Sequence, residues 1–402
     1  MLTPTPRYSF NVVNAAAVAL LGLLALSPSL SCHPRVAEAG EEHDSEPPLT
    51  TPQAAPVQSA VFKVSWLSGV DGHQLAPELG KHHATSAGAQ GSSGEPPRGL
   101  DALRATPVFD FIHARREANG EIVAVLRPGG QLVHSADGAQ WSVLQPDAGV
   151  ESVAITPSTW WGLSEIDANG VAQRLARSFD GGKTWEMRNT GEYLEPEPVL
   201  LRAQGDGLAL ASGTLMLSTQ DPNGRWLWSN PRVEGRITML EPVENAGQRH
   251  WWVGTERGEL RELVEGNWQA HSLPDLGTAR VSGLALAKDR LFVATDRGLY
   301  VRHGNTDSAW QRVDLGPRPF EAVAVSSSGF GVAAGRAAQL AVTHDFGQTW
   351  ILQDEVWREL MTGERKPSHA SLERNVRFAV AEANSVLLFG DELLLARLSA
   401  LD

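Results

Sequence analysis

Short apolar runs, separated by polar or glycine-containing turns, recur along most of this chain. The unit Val108–Gly149 shows the pattern, with runs near Phe109–His113, Glu121–Leu126, Gln131–Ser135 and Trp141–Leu144. Runs of this length, bounded by turn residues, predict β-strands. We therefore expect an all-β chain in which each unit folds into a small antiparallel sheet of four strands.

Tryptophan marks the end of each unit. Successive tryptophans lie 40 to 44 residues apart, at Trp141, Trp185, Trp226, Trp268, Trp310 and Trp350. The phrase before the tryptophan is fullest in Ser178–Trp185, and Thr343–Trp350 and Ser135–Trp141 are close variants. A four-stranded repeat of about 40 residues is typical of a β-propeller blade.

The units predict six complete blades: Val108–Gly149, Val150–Gly191, Glu192–Arg236, Ile237–Arg280, Val281–Arg318 and Pro319–Val356. The C-terminal part then has only three strand-like runs, at Val376–Glu382, Ser385–Phe389 and Leu393–Leu398. We expect Val61–Leu67 to supply the missing strand, because joining both ends of the chain removes exposed sheet edges. This predicts a seven-bladed β-propeller whose last blade is closed by an N-terminal strand. Six blades with an unrelated tail is the alternative.

The remaining segments predict export and a tether. Residues 1–32 contain Arg7 and the apolar run Ala15–Leu26, which is too short to span a bilayer comfortably, so we interpret them as a signal peptide. Residues 33–59 are rich in Pro, Glu, Ala and Thr and predict a disordered tether. Within the propeller, residues 60–402, we expect a flexible insertion at about 75–105 and a charged insert at about 357–374.

Cys32 is the only cysteine and follows Ser29-Leu30-Ser31 at the end of the signal. This segment resembles the lipobox of bacterial lipoproteins, in which the cysteine is acylated, although Ser29 stands where that family usually has leucine. The resemblance implies a lipoprotein anchored in the bacterial cell envelope. Cleavage after Ala37-Glu38-Ala39, which would give a secreted or periplasmic protein, is the alternative.

The repeated phrase resembles the Asp box, or BNR repeat, of sialidases, sortilin-type receptors and the photosystem II assembly and stability factor family. Trp252–Gly258 and Phe292–Tyr300 look most like the last of these. In such a hairpin the aspartate can accept N–H groups, the glycine can adopt a positive φ, and the tryptophan can pack between sheets. We therefore predict structural roles for Ser135, Asp137, Gly138, Trp141, Ser178, Asp180, Gly182, Trp185, Thr343, Asp345, Gly347 and Trp350.

Composition and motifs narrow the function. A net charge of −13 argues against general nucleic-acid binding, which needs a basic surface. The propeller sequence has no His or Cys metal motif, no phosphate loop and no Gly-x-Ser-x-Gly, so we expect no metal, no cofactor and no catalytic residue. A glycoside hydrolase or sialidase-like enzyme acting on glycans is the alternative; such an enzyme needs two positioned carboxylates, and because Asp and Glu are plentiful their presence does not discriminate.

Arginine recurs at one position of the predicted blades. Arg127, Arg257, Arg297 and Arg336 all fall in the turn between the second and third strands. These turns project on one face near the mouth of the channel, so the arginines would form a positive collar suited to an anionic group. Arginine as an ordinary soluble turn residue is the alternative.

The combined prediction is a monomeric, non-catalytic propeller that binds another protein or an anionic ligand at the cell envelope. The expected partner is an envelope protein or an anionic peptide, glycan or lipid headgroup. We expect no nucleic-acid partner, and contact with the membrane through the lipid anchor only.

Overall fold

A computed structural model gives the fold. It describes residues 62–68, 110–117, 119–127, 130–145, 150–164, 175–188, 200–219, 227–245, 248–303, 308–362, 375–391 and 394–401. The chain divides into two compact units, Met1–Pro56 and Val57–Asp402, and all described residues belong to the second. The predicted signal peptide, Cys32, the tether and the insertion at about 75–105 lie outside the described residues.

The described strands form seven four-stranded sheets. The first three blades contain β2 (Asp110–Arg116), β3 (Ile122–Arg127), β4 (Gln131–Ser135) and β5 (Ser142–Gln145); β6 (Val150–Ile155), β7 (Trp160–Ser164), β8 (Leu175–Ser178) and β9 (Glu186–Arg188); and β10 (Leu200–Gln204), β11 (Gly207–Ser212), β12 (Leu215–Thr219) and β13 (Leu227–Ser229).

Blades 4 to 6 repeat this order. They contain β14 (Ile237–Asn245), β15 (Gln248–Thr255), β16 (Leu260–Val264) and β17 (Asn267–His271); β18 (Val281–Ala287), β19 (Arg290–Thr295), β20 (Gly298–His303) and β21 (Gln311–Arg312); and β22 (Phe320–Val325), β23 (Gly331–Gly335), β24 (Leu340–Thr343) and β25 (Ile351–Leu352).

Blade 7 joins the two ends of the propeller. It contains β1 (Phe62–Ser68), β26 (Val376–Ala381), β27 (Ser385–Gly390) and β28 (Leu395–Ala400), in the spatial order β1-β28-β27-β26. The N-terminal strand runs antiparallel to the C-terminal one, with Phe62 opposite Ala400. The predicted seven-bladed propeller with an N-terminal closing strand is therefore confirmed, and the six-bladed alternative is wrong.

The first strand of every blade contacts the first strands of both neighbouring blades, so these seven strands surround the central channel. In six blades a β-bulge interrupts the pairing of the first and second strands near its start. A bulge inserts one extra residue and redirects its side chain. At this position Thr238 donates its hydroxyl to the Val281 carbonyl at 2.6 Å, and Ser282 donates to Phe320 at 2.8 Å. The bulges thereby link successive blades.

The turn between the third and fourth strands carries the repeated phrase. Asp180 accepts the backbone N–H of Thr184 at 2.9 Å and its hydroxyl at 2.7 Å. Asp345 makes the same two bonds with Thr349, at 2.9 and 2.7 Å. In the shorter first copy, Asp137 accepts a backbone N–H at 2.8 Å. Each aspartate is thus bound within its own turn.

Hydrogen bonds to a carboxylate favour its ionised form. Those from Thr184 are the main reason that the pKa of Asp180 falls to about 2. Burial alone would raise the pKa of Asp345, but the bonds from Thr349 outweigh it and the pKa is lowered. The N–H groups of Gln140 and Ala139 lower the pKa of Asp137.

The other residues of the phrase complete the turn. Ser178 donates to Asp180 at 2.7 Å, and Ser135 and Thr343 make the equivalent bonds to Asp137 and Asp345 at 3.1 and 2.8 Å. The glycines have φ between +69° and +83°, in the left-handed region that favours glycine: Gly138, Gly182 and Gly347.

The tryptophans of the phrase lie against the preceding blade. Trp141 of blade 1 packs edge-on to Phe389 of blade 7, with ring centroids 5.7 Å apart. Trp350 packs in the same way on Phe292 of blade 5, at 5.6 Å. Trp185 belongs to the apolar cluster shared by blades 1 and 2. Trp226 lies outside the described residues.

One helix, α1 (Asp354–Thr362), lies between blades 6 and 7 in the described part of the chain. It occupies the start of the predicted charged insert and packs the fully buried Trp357 into the core that these two blades share. Residues 363–374 of that insert are outside the described range. Among the described residues, no helix is long and apolar enough to span a bilayer.

Candidate binding site in the channel and on its rim

The rim is formed by the turns that join second and third strands, together with the nearby bulges. The antiparallel order places these turns on the face opposite the aspartate turns. All four arginines selected from the sequence lie at the second-to-third-strand turns: Arg127, Arg257, Arg297 and Arg336.

Carboxylates lie beside these arginines. Arg127 contacts Glu151 of the next blade at 2.7 Å, and Arg336 is paired with Glu321 of its own blade. Glu151 and Glu321 are both the extra residues of β-bulges, which explains why they reach the rim. The rim therefore carries both charges at these positions.

The other two arginines are less constrained. Arg257 lies 3.7 Å from Glu234, and both side chains are mostly exposed. Arg297 makes backbone bonds, since its carbonyl accepts from Arg312 at 2.8 Å. Ligand binding by the four arginines stays a prediction, and their positive charge is partly compensated.

Inside the channel, three charged side chains meet from the first strands of blades 1, 3 and 4. Arg115 Nη1 donates to Glu241 Oε2 at 2.7 Å, and Arg202 Nε donates to Glu241 Oε1 at 3.1 Å. The side chains of Arg115, Arg202 and Glu241 are 21%, 12% and 23% exposed. This channel cluster is sheltered, and each of its side chains keeps part of its surface exposed.

The channel cluster has more positive than negative charge. Burial opposes ionisation of Glu241, but the charges of Arg115 and Arg202 outweigh burial and lower the pKa of its carboxyl. Glu241 is therefore ionised and compensates one of the two guanidinium groups. The other guanidinium has no carboxylate of its own within the cluster, although Arg202 Nη1 also donates to the Leu201 carbonyl at 2.9 Å.

Two further titratable groups, Glu117 and His113, respond to the charges of Arg115 and Arg202. Burial raises the pKa of Glu117, against the effect of the Arg115 charge. Burial, with Arg202 and Arg115 nearby, holds the pKa of His113 well below its ordinary value. Glu117 Oε1 and His113 Nε2 are buried without hydrogen-bond partners among the described residues, although Glu117 Oε2 accepts the Ile155 N–H at 3.0 Å. Both pKa shifts favour the neutral forms.

The sequence analysis did not select Arg115, Arg202 or Glu241. The signal is clearest for Arg202, a charged residue among apolar neighbours in the first strand of its blade, Leu200-Leu201-Arg202-Ala203. Buried charges are rare unless they are paired. Pairing across the channel becomes visible only when the ring order is known.

A second pair of arginines shares a carboxylate on the opposite face. A groove of about 640 Å³ runs between blades 6, 7 and 1 and includes Arg116, Glu382 and Arg397. Glu382 contacts Arg397 at 2.7 Å and Arg116 at 3.4 Å. Arg397 also donates to the Asp137 carbonyl at 2.6 Å, which ties blade 7 to blade 1. These arginines are therefore committed to ring closure.

No group of three or more His, Cys, Asp or Glu side chains in the described part of the propeller could hold a metal ion.

Comparison with known proteins gives structural neighbours. No protein-family model matches the sequence, and no curated protein matches it either. YCF48 bound to D1 peptide aligns with a TM-score of 0.55 at 15% identity, over 87% of this chain and 100% of that one. The extracellular domain of BT4673 from B. thetaiotaomicron aligns at 0.53 and 13% identity, over 73% of this chain and 38% of that one.

An enzyme is also among the neighbours. Virginiamycin B lyase from Staphylococcus aureus aligns with a TM-score of 0.52 at 9% identity, over 74% of this chain and 97% of that one. At these identities the similarities show a shared fold, the β-propeller, which hosts both binding proteins and enzymes.

Proposed function

We propose that this protein is a non-catalytic β-propeller that binds an anionic segment of another protein at its channel. The observation that carries the proposal is the channel cluster, in which Arg115 and Arg202 share the single carboxylate of Glu241. Guanidinium groups bind carboxylates and phosphates in a directed way. An acidic side chain that enters the channel would compensate the second guanidinium.

The rim supports the same proposal in a secondary role. Arg257 is mostly exposed and its ion pair is long, so it is free to attract an approaching anion. The structural neighbour YCF48 was solved with a D1 peptide, which is consistent with peptide binding by a propeller of this shape. An anionic glycan or lipid headgroup would meet the same guanidinium groups and is an outcome of the test.

The test uses a fluorescent acidic peptide of about ten residues, with a neutral peptide of the same length as the comparison. The Arg202→Gln variant leaves Arg115 and Glu241 as a balanced pair, so it removes the excess charge without stranding a buried ion. We expect the acidic peptide to bind the wild type, and Arg202→Gln to weaken binding about tenfold or more.

Arg397→Gln is the matched control, because Arg397 also shares a carboxylate with a second arginine, on the opposite face. This variant should bind the acidic peptide as tightly as the wild type. Equal loss in both variants, or equal affinity for the neutral peptide, would contradict the proposal. If an anionic glycan or anionic vesicles bound and the peptide did not, the proposed peptide ligand would be wrong and the ligand that bound would replace it.

We also propose that the protein is a lipoprotein of the cell envelope, acylated at Cys32, and a relative of the Asp-box propellers. The lipobox-like segment and the aspartate turns support this. Cys32→Ser should move the protein from the membrane fraction to the soluble fraction and abolish labelling by a fatty-acid analogue. Membrane association that persists without labelling would contradict the anchor.

A glycoside hydrolase is the second candidate. One observation favours it: the pKa of Glu117 is raised mainly by burial, while Arg115 and Arg202 overcome burial to lower that of Glu241, within one channel. Carboxyl groups with separated pKa values serve as acid and base in such enzymes. A panel of fluorogenic glycosides, with Glu117→Gln as control, tests it. Turnover by the wild type that Glu117→Gln abolishes would establish an enzyme.

A further inference from the structure

A buried carboxylate also joins blades 4 and 5, far along the sheet from the channel cluster. Glu262 on β16 is only 4% exposed and accepts from two imidazoles on neighbouring strands of the same blade. His250 Nδ1 lies 2.7 Å from Glu262 Oε1, and His271 Nε2 lies 2.9 Å from Glu262 Oε2. We name Glu262, His250, His271 and Arg302 the seam cluster.

Arg302 enters the seam cluster from β20 of blade 5. Its Nη1 lies 3.3 Å from His271 Nδ1, and its Nη2 lies 3.9 Å from Glu262 Oε2. The guanidinium also lies over two indole rings, at 5.1 Å from Trp252 and 5.3 Å from Trp310. Since the Arg302 side chain is 7% exposed, blade 5 is held to blade 4 by a buried cation.

The contacts determine the protonation of His271. A guanidinium only donates hydrogen bonds, so His271 Nδ1 must accept the bond from Arg302. An imidazole that accepts at Nδ1 is neutral and carries its proton on Nε2, where it donates to Glu262. His271 therefore connects the cation to the carboxylate only while it is neutral.

We propose that the seam cluster is a proton-operated latch between blades 4 and 5. When His271 takes a second proton at Nδ1, an N–H group faces the N–H of Arg302 and the bond is lost. Arg302 must then leave its position between the two indoles, and blade 5 loosens from blade 4. Histidine is the side chain whose charge ordinarily changes between about pH 5 and 8, so the latch is tested across that interval.

His250 contacts the same carboxylate and lacks this conflict. In the described part of the chain, the charge of Arg302 acts on Glu262, and burial lowers the pKa of Arg302 against the effect of the Glu262 charge. Burial would raise the pKa of Glu262, but the hydrogen bonds from His271 and His250 outweigh it and lower the pKa. The lowered pKa favours the ionised form of Glu262, which can accept from a neutral or a protonated His250.

The test compares urea unfolding midpoints at about pH 8 and about pH 5.5 in the full chain. His271→Gln mimics the neutral imidazole at both values, because its amide can donate to Glu262 and accept from Arg302. His250→Gln is the matched control on the same carboxylate. We expect acidification to lower the wild-type midpoint, and His271→Gln to remove a large part of that fall. His250→Gln should retain a fall as large as the wild type or larger.

Arg302→Met provides an independent variant, since it removes the cation that conflicts with the protonated imidazole. Its midpoint should also fall less than that of the wild type on acidification. The remaining fall in every variant is expected from the buried His113. A wild type with no acid sensitivity, an unchanged fall in His271→Gln, or an equal reduction in His250→Gln would overturn the latch.

Discussion

Blade 4 holds two carboxylates, the half-buried Glu241 and the buried Glu262, whose partners respond differently to protons. Glu241 on the first strand is bridged by two arginines, which stay charged at any pH the protein meets. Glu262 on the third strand is bridged by two histidines, whose charge depends on pH. The same geometry thus gives a fixed electrostatic site in the channel and a variable contact at the seam.

Solvent access also distinguishes the two groups. The Glu241 side chain is 23% exposed, whereas that of Glu262 is 4% exposed. The proposed ligand therefore has exposed surface to contact at Glu241, whereas Glu262 offers almost none. This difference is our reason to assign binding to the first and regulation to the second.

The largest effect is expected from Glu241→Gln, which leaves two sheltered guanidinium groups without a counter-charge. Breaking a buried ion pair costs about 3 kcal/mol or more, so the free energy of unfolding should fall by about 3 kcal/mol. Urea denaturation at neutral pH measures it. The pKa of Glu241 is lowered, so its contribution is present above the ordinary carboxyl pKa and is lost as pH falls below that value. A loss below about 1 kcal/mol would contradict the view that Glu241 is the main counter-charge of Arg115 and Arg202.

Glu262→Gln should cost less, about 1 to 2 kcal/mol at neutral pH. Its two imidazole partners need no counter-charge while they are neutral, and Arg302 lies 3.9 Å away. The same denaturation series measures the loss beside Glu241→Gln. If Glu262→Gln proved the more damaging, the distinction between a fixed and a variable site would be wrong.

The third effect has the opposite sign. Burial raises the pKa of Glu117, so the folded state holds a proton that the unfolded state releases, and stability falls as pH rises from the ordinary carboxyl pKa through the raised one. Glu117→Gln cannot ionise and can still accept the Ile155 N–H. It should stabilise the protein at neutral pH, by on the order of 1 kcal/mol, and lose this advantage near pH 4. A variant that is destabilised at both pH values would contradict the shift.

The fold could be predicted from the sequence, but these two clusters could not. The regular spacing of the tryptophans predicts the blade boundaries. It does so because the indole at the end of a blade packs on the preceding sheet. Arg115 and Glu241 are 126 positions apart and meet only when the ring closes. Glu262 and His250 share a face because of the strand register, which places Glu262 opposite Trp252. Turn geometry fixes that register, and single-residue patterns do not specify it.

Bulges and close packing limited the other site predictions. The sequence placed Arg127 and Arg336 in the correct turns. A β-bulge leaves no clear signal in the sequence, so the carboxylates that pair with these arginines were not predicted.

The turn glycines also show what the sequence alone does not reveal. Gly347 and Gly181 both have positive φ, yet a Cβ would lie 2.2 Å from Phe292 at Gly347 and meets nothing within 4 Å at Gly181. The folded structure is therefore needed to tell a glycine required for its positive φ alone from a glycine that also leaves room for a neighbouring side chain.

The smallest effect is expected at the rim, from Arg127→Gln. Arg127 contacts Glu151 at 2.7 Å, a distance as short as the Arg115 contact in the channel, but the Arg127 side chain is 57% exposed. Water and salt screen an exposed guanidinium, so the free energy of unfolding should change by less than about 0.5 kcal/mol. Denaturation at low and high salt measures it, and any loss should disappear at high salt. A loss comparable to that of Glu241→Gln would show that the distance between the paired groups, and not their burial, determines how much an ion pair contributes to the free energy of unfolding.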